Sequence, residues 1–403
     1  MKTVIVIGGG ASGLMAALSA AKDEENRVLI LERQLRAGRK LLATGNGRCN
    51  LTNTKASAER YHGEDPDFAR PALEAFSSAD TLAFFSSLGL LTEEEYGGRV
   101  YPLSNSANSV LDVLRLALDR AGVEVHSGSR VVSARSERGG FAVECENERF
   151  FADALIVACG GAAGRKLGGV TDGYELLRRF GHERTKLYGA LVPLLTAPEY
   201  PRALKGVRAD AAVTLRLGGE VLAQSCGEVQ FTETGVSGPA VFDVSRAAAV
   251  CGGGAQIAFD FFRGRSTDEL LGMLRARREA MPKLEASELL CGMLHNRLGR
   301  MCVKYAGIAA AQPLHRLSDG ELAHVLESCR DFALEVRGTA GFDAAQVTAG
   351  GVSTAQFDPH TLQSRLVPGL YACGEVLDID GDCGGYNLQW AWSSGALAGR
   401  LLR

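Results

Sequence analysis

Gly8, Gly10 and Gly13 complete G-x-G-x-x-G directly behind the β-branched run Val4-Ile-Val-Ile7. That run reads as a strand buried on both faces, and residues 14–22, rich in Ala and Leu, read as the helix that follows. Each glycine has a separate task. Gly8 allows a tight turn, Gly10 lets backbone come close to a pyrophosphate, and Gly13 lets the helix press against the strand. A diphosphate would then meet N–H groups at the positive end of the helix dipole. A second strand, residues 27–31, runs into Glu32, about 20 residues past the third glycine, where a carboxylate accepts from ribose hydroxyls. A plain glycine turn in a βαβ unit would leave Glu32 and the doubled glycines without a purpose. A dinucleotide site is expected here.

The tail carries a second group of such residues. Gly369-Leu-Tyr-Ala-Cys-Gly-Glu375 reads as a short apolar strand ending in a glycine and an acid. Gly381-Asp-Cys-Gly-Gly-Tyr-Asn387 follows, then a helical run over residues 388–402 rich in Ala, Trp and Leu. Paired glycines ahead of an apolar helix leave an open N-terminus whose N–H groups can face an anionic ring edge.

The elements that must position these groups differ along the chain. Residues 1–188 alternate strand signals (4–7, 27–31, 123–126, 154–158) with helical ones (107–121). Residues 190–262 turn strand-like, with alternation over 211–217 and turn punctuation at Leu217-Gly-Gly-Glu220. Residues 266–330 are helical, with amphipathic periods over 267–280, 286–298 and 319–329. Strand texture returns over 332–336 and 346–348. An N-terminal nucleotide-binding half completed by a C-terminal segment implies an insertion between them.

Composition narrows the function classes. The 403 residues are 46% hydrophobic and 23% charged, with a formal net charge of −3. That is the profile of a soluble globular chain. No basic run supplies a footprint for nucleic acid, and no apolar stretch approaches the ~20 residues that span a bilayer. The early apolar run is short and ends in glycine, so a signal peptide is not expected. Ten cysteines are scattered without C-x-x-C pairs or a metal-ligand rhythm. A reducing cytoplasm, no metal, and cysteines used as small buried hydrophobes are the expectations.

Longer motifs carry a resemblance. Gly38-Arg-Lys-Leu-Leu-Ala-Thr-Gly-Asn-Gly-Arg-Cys-Asn-Leu-Thr-Asn53, Thr348-Ala-Gly-Gly-Val352 and Gly381–Asn387 are the most specific. Gly98-Arg-Val-Tyr-Pro102, Ala158-Cys-Gly-Gly161, Thr171-Asp-Gly-Tyr174, Phe231-Thr-Glu-Thr-Gly-Val-Ser-Gly-Pro239 and Gly374-Glu-Val-Leu-Asp378 support them. Together they resemble the bacterial aminoacetone-oxidase-like or bile-acid-reductase-like NAD(P)/FAD-dependent oxidoreductases, along almost the whole chain. The resemblance implies an α/β fold: a two-part Rossmann-like FAD-binding domain (1–188 and 349–403), a β-barrel-like insertion (189–262 and 331–348) and a helical subdomain (263–330). It places Gly8, Gly10, Ala11, Ser12 and Gly13 on the pyrophosphate, Glu32 and Arg33 at the adenosine ribose, and the backbone of Val131 at adenine. Lys40, Asn46, Gly47, Arg48, Cys49 and Asn50 would line the pyrophosphate and flavin approach, with Cys159 and Gly160 beside them. Gly374 and Glu375 would meet the ribityl–phosphate arm, and Gly384, Gly385, Tyr386 and Asn387 the pyrimidine edge of the isoalloxazine.

Two positions depart from that family. Glu233 stands where it usually carries His after Phe-Thr, and Cys383 where it usually carries Thr before Gly-Gly-Tyr-Asn. The first weakens any mechanism that needs a barrel imidazole as proton donor; the second changes the polarity of the flavin site. Cys49 sits after the Glu32 strand much as the redox cysteines of flavin disulfide reductases do, but it stands alone. A role with Cys383 beyond packing would require close approach and a lowered thiol pKa. Arg48 suits bidentate phosphate contact better than catalysis. His182 reads as a capping or packed histidine, and Trp390 and Trp392, two apart on one helix, as one core and one partly exposed residue.

No nucleophile–base triad is visible, which fits a flavin carrying the chemistry. No catalytic residue is assigned. The expected function is hydride transfer to flavin N5 from NAD(P)H or a small amine, then on to oxygen or an enone-like acceptor. No second G-x-G-x-x-G follows, so NAD(P)H would visit transiently. A small-molecule substrate is expected, with no nucleic-acid or membrane partner. The alternative is a flavin-dependent RNA-modifying or redox-sensing protein, which should show a basic face that net −3 does not provide.

Overall fold

A computed structural model describes residues 1–402. The chain forms two compact units: Met1–Gly189 together with the chain from Gln346 onward, and Ala190–Ala345.

The first unit is built on a five-stranded sheet in the spatial order Leu370–Ala372, Ala154–Val157, Lys2–Ile7, Asn26–Glu32, Glu124–Ser127. All four pairings are parallel. Val4, Ile5 and Val6 are fully buried because parallel strands are covered on both faces. The tail supplies an edge strand of the same sheet, with Ile156 opposite Tyr371.

The tail also supplies a helix, Tyr386–Ala398, which packs along the first helix, Ala11–Ala20. The two run parallel, Gly395 lying against Ser12 and Met15 and Gly399 against Ala16 and Ser19. A Cβ on Gly395 would sit 2.4 Å from Ser12 O and one on Gly399 2.3 Å from Ala16 O. Ser19 Oγ donates to Ala396 O across the same contact at 2.7 Å. Trp390 and Trp392 do lie on different sides of this helix, yet both are buried, at 1% and 0% exposure. The expectation of one exposed indole fails because the helix is covered all round. Each indole N–H is satisfied, Trp390 by Gly374 O and Trp392 by Leu51 O.

This unit also holds three small antiparallel sheets, besides the pair Tyr188–Ala190 and Val347–Ala349 at its border. Val131–Glu137, Gly140–Cys145 and Arg149–Ala152 form one, and Thr52–Asn53, Arg99–Pro102 and Thr92–Glu95 another. Tyr61–His62 pairs with Asp380–Gly381 in the third.

The second unit holds a closed six-membered barrel made of Leu194–Thr196, Gly235–Ser237, Glu220–Phe231, Arg208–Leu217, Gln256–Asp260 and Phe332–Thr339. A helix, Pro239–Cys251, packs against five of these strands. It lies inside the stretch read as strand-like, and its local signals are Pro239 at its first turn and Gly252 in the left-handed region at its end. Three helices, Thr267–Ala280, Asn296–Tyr305 and Asp319–Arg330, precede the last barrel strand. No helix spans 286–298 as the apolar spacing predicts. A single 3-10 turn, Ala286–Glu288, is followed by Gly292 at φ +78°, and the helix starts only after His295, whose ring accepts from Arg297 N. Leu289, Leu290 and Leu298 are buried all the same, so burial rather than helicity produced the pattern.

Replacing Gly395 by Val should force the two parallel helices apart, costing about 3 kcal/mol or more and lowering the melting temperature by roughly 5–10 °C. An unchanged thermal melt would show that they do not approach this closely.

Candidate functional site

The three motif glycines do different physical work. Gly8 has φ +107°, and a Cβ there would lie 2.5 Å from Ala158 O. A Cβ on Gly13 would lie 1.9 Å from Gly8 O. Both are glycine because backbone passes too close for anything else. Gly10 differs: its φ of −81° suits any residue, and a Cβ would meet nothing within 4 Å. Open space is what Gly10 preserves. The helix beginning at Ala11 has no side-chain cap and no acid in its first turn, so the N–H groups of Ala11, Ser12 and Gly13 face that space.

Glu32 borders the same turn, 9% exposed. One carboxylate oxygen accepts from Gly9 N and the other from Gln34 N, both at 2.7 Å. The carboxylate is thus aimed in advance, with lone pairs left for further donors. Arg33 is half-buried beside it. Ser129 N donates to Glu32 O and Gly128 N to Gln34 O, which ties the segment leading into buried Val131 to this strand end. Cys159 hydrogen-bonds through its sulfur to Ile7 O, and Gly160, at φ +69°, leaves free space at its Cβ position.

Lys40 Nζ pairs with Glu375 Oε2 at 2.8 Å, and Glu375 Oε1 accepts from Thr348 N at 2.7 Å. Gly374, at φ +76°, sits against Ser12: a Cβ there would lie 2.4 Å from Ser12 Oγ. Its N–H donates to Ser394 Oγ. These contacts link the first helix turn to the tail.

The loop from Thr44 to Asn50 is contorted. Gly45, Asn46, Gly47 and Cys49 all have φ between +55° and +86°. Two of these are not glycine, a costly conformation that persists where surroundings over-determine it. The loop delivers Asn50 to the start of the tail helix. A Cβ on Gly385 would strike Thr52 O at 2.5 Å and lie 2.9 Å from Asn50 Oδ1. Asn50 Oδ1 is itself buried with no hydrogen-bond partner, and such an orphan asks for a donor. The tail helix, like the first, has no side-chain cap and no acid in its first turn. Asn53 Nδ2 donates to Gly384 O at 2.8 Å and reaches Gly97 O at 3.3 Å.

Some expected side chains point elsewhere. Arg48 binds Glu95 and Asn105 Oδ1 and lies over the Tyr101 ring, 4.1 Å from its centroid. Asn387 Nδ2 and Oδ1 bond Gly381 O and N, so this amide braces the preceding loop. Tyr386 is buried edge-on to Tyr61, whose hydroxyl donates to Tyr386 O. Cys49 is fully buried and its thiol is pushed up to about 12 by that burial. A reactive thiol needs the opposite shift, which leaves packing as its role. Glu233 is exposed and paired with Lys205, which holds its carboxyl below the usual range. His182 is buried, stacks on Phe357 and bonds Ser364 Oγ and Gln356 Oε1, a packed histidine.

Tyr61, His62 and Asp382, which the sequence does not single out, meet beside Gly381. His62 Nε2 lies 2.7 Å from Asp382 Oδ1. Asp382 carried a signal, since it stands within the motif Gly381–Asn387; His62 carried none. Among the described residues, no group of three or more His, Cys, Asp and Glu is arranged to hold a metal, and no helix is long and apolar enough to cross a membrane.

Two uncapped helix starts thus share one unit. Gly395 is level with Ser12, so at 1.5 Å per residue the tail helix begins roughly 12 Å ahead of the first. The description "HI0933-like protein Rossmann domain" matches residues 2–401. The chain belongs to the HI0933-like Rossmann family. It is 42% identical to a 3-dehydro-bile acid delta(4,6)-reductase of Clostridium scindens, over 99% of this chain and 98% of that protein. It is 30% identical to a ribosomal RNA dihydrouridine synthase of Escherichia coli, over 97% of this chain and 95% of that one. A 3-ketosteroid delta1-dehydrogenase from Sterolibacterium denitrificans has the same fold, with a TM-score of 0.51, 14% identity, and 99% of each chain covered.

Two substitutions separate cofactor from fold at this HI0933-like site. Gly10→Val should lower the stability of the flavin-free protein by no more than about 1 kcal/mol, because Val is a poor N-cap, but should lose bound flavin, since the open space is filled. Glu32→Ala should lose flavin and also lower stability, each by about 1.5–3 kcal/mol, because Gly9 and Gln34 lose their acceptor. Flavin retention after dialysis, read with a thermal melt, checks both; full retention in either variant would contradict the assignment.

Proposed function

We propose that the chain is an FAD-dependent oxidoreductase that saturates a carbon–carbon double bond conjugated to a carbonyl in a small apolar substrate. The observation that supports this best is the pair of uncapped, parallel helix starts, offset by roughly 12 Å, with the orphaned Asn50 acceptor at the second. A diphosphate suits the first start. A pyrimidine-type ring edge, with alternating acceptors and a donor, suits the second. In this reading the first unit is the FAD-binding domain and Ala190–Ala345 the insertion with its helical part.

The geometry supports one role for each of these residues. Ala11, Ser12 and Gly13 offer N–H groups to the diphosphate, and Glu32 accepts from the adenosine ribose. Lys40, held by Glu375, puts a positive charge beside the phosphate–ribityl arm. Asn50 and the N–H groups after Gly385 hold the pyrimidine edge. Bound there, the flavin supplies a hydride. No second dinucleotide motif is present, so the nicotinamide that delivers electrons visits and leaves.

Substrate class rests on the relatives. A delta(4,6)-reductase and a dihydrouridine synthase both, by name, remove unsaturation from a ring. The more similar of the two acts on a bile acid. An RNA substrate would call for a basic face, but acidic residues outnumber basic ones in each unit.

Anaerobic mixing tests the reading. NADH or NADPH should bleach the yellow protein, and a 3-oxo-4,6-diene steroid should restore the colour. Restoration by uridine-rich RNA and not by the dienone would favour the RNA-modifying alternative. Bleaching only by a small primary amine would replace the nicotinamide as donor.

A further inference from the structure

Saturating a conjugated double bond needs a hydride on one carbon and a proton on the other. We infer that His62, held by Asp382, is the proton donor; this rests on the function proposed above. Tyr61–His62 pairs antiparallel with Asp380–Gly381, placing His62 opposite Asp380. Asp382 N donates to Arg60 O, which extends the pairing by a residue. Asn387 grips the loop at Gly381 and Asp382 O, and a Cβ on Gly381 would lie 2.9 Å from Tyr386 Cβ. The loop that ends in Gly384 and Gly385 is therefore rigid, and it carries the Asp382 carboxylate two residues before the glycines at the flavin edge.

That carboxylate engages one nitrogen of the imidazole, Nε2 at 2.7 Å. Nδ1 stays available for a substrate, and the His62 side chain is 39% exposed, within reach of one. The other charged groups around it are Arg60, 3.5 Å from the second Asp382 oxygen, Asp380 across the strand pair, and Asp378 and Glu64, joined through Glu64 N. The carboxylate fixes the imidazole orientation and turns Nδ1 away from itself, the arrangement of an oriented general acid.

Competing donors are disqualified by their surroundings. Lys40 is paired with Glu375. Tyr61 is buried, its hydroxyl committed to Tyr386 O and its pKa pushed far up by burial. Cys49 is sealed in the core. Glu233 is held as a carboxylate by Lys205.

The step balances. A bound flavin would supply the hydride that forms a C–H bond at the carbon remote from the carbonyl, with the π pair moving toward the carbonyl. The Nδ1–H bond of the imidazolium breaks, its proton forms the second C–H bond, and the neutral imidazole takes a proton from solvent.

The test separates the two half-reactions in stopped flow. His62→Gln should keep its flavin and its rate of bleaching by nicotinamide, while reoxidation by the 3-oxo-4,6-diene steroid slows 100-fold or more. Asp382→Asn should slow reoxidation less. Asp382→Asn should also keep its rate of bleaching, which confines both effects to the half-reaction that takes up the proton. Unchanged reoxidation in His62→Gln overturns this proposal alone. A wild-type protein that the dienone does not reoxidise overturns the proposed function and this proposal with it. Should His62→Gln lose its flavin, His62→Asn and Asp382→Asn decide: unchanged reoxidation in both refutes the donor.

Discussion

The close parallel packing of Ala11–Ala20 against Tyr386–Ala398 is the contact on which the candidate site depends. Glycine at 395 and 399 removes the side chains that would hold these helices at an ordinary separation. Both helices leave their first-turn N–H groups without side-chain caps, a local cost. That cost is tolerable only if something else satisfies the groups. Because the helices run the same way, the two positive ends project in one direction at different heights. An elongated anionic cofactor fits such a pair; a compact one does not.

Around this axis the structure spends its buried polar contacts on orientation. Glu32 is clamped by two backbone N–H groups, Lys40 by Glu375, and Asn387 by the Gly381 backbone. A strained loop, with Asn46 and Cys49 at positive φ, brings Asn50 up to Gly385. Backbone strain of this kind survives where the neighbouring packing is strong, and Trp392 binding Leu51 O supplies such packing directly beside it. The site therefore draws its stiffness from the same tail helix that supplies its second N-terminus.

Rigidity also bears on the proton. In the reaction proposed above, hydride and proton arrive on adjacent carbons, so a donor on a mobile surface loop would serve poorly. The Asp380–Gly385 loop is pinned by a strand pair, by Asn387 and by the Tyr61–Tyr386 contact. Under that proposal no imidazole is needed in the barrel motif, where Glu233 stands, since the first unit holds a histidine–carboxylate pair of its own.

Local pattern alone determined a good part of this protein. The buried strands at 4–7, 27–31 and 154–158, the spacing of Gly8, Gly10 and Gly13, and Glu32 at its strand end were legible because each depends on neighbours a few residues away. So was the helix over Thr267–Ala280, with its alternation of apolar and charged faces. What a side chain bonds to was not legible. Arg48 turns to Glu95, Asn387 braces its own loop, both indoles are buried, and the apolar run after Glu285 folds as turns around Gly292. His62 meets Asp382 across 320 residues of sequence. Only the pairing of Tyr61–His62 with Asp380–Gly381 brings them together, and strand register between distant segments is set by the whole packed unit, not by either segment's own pattern.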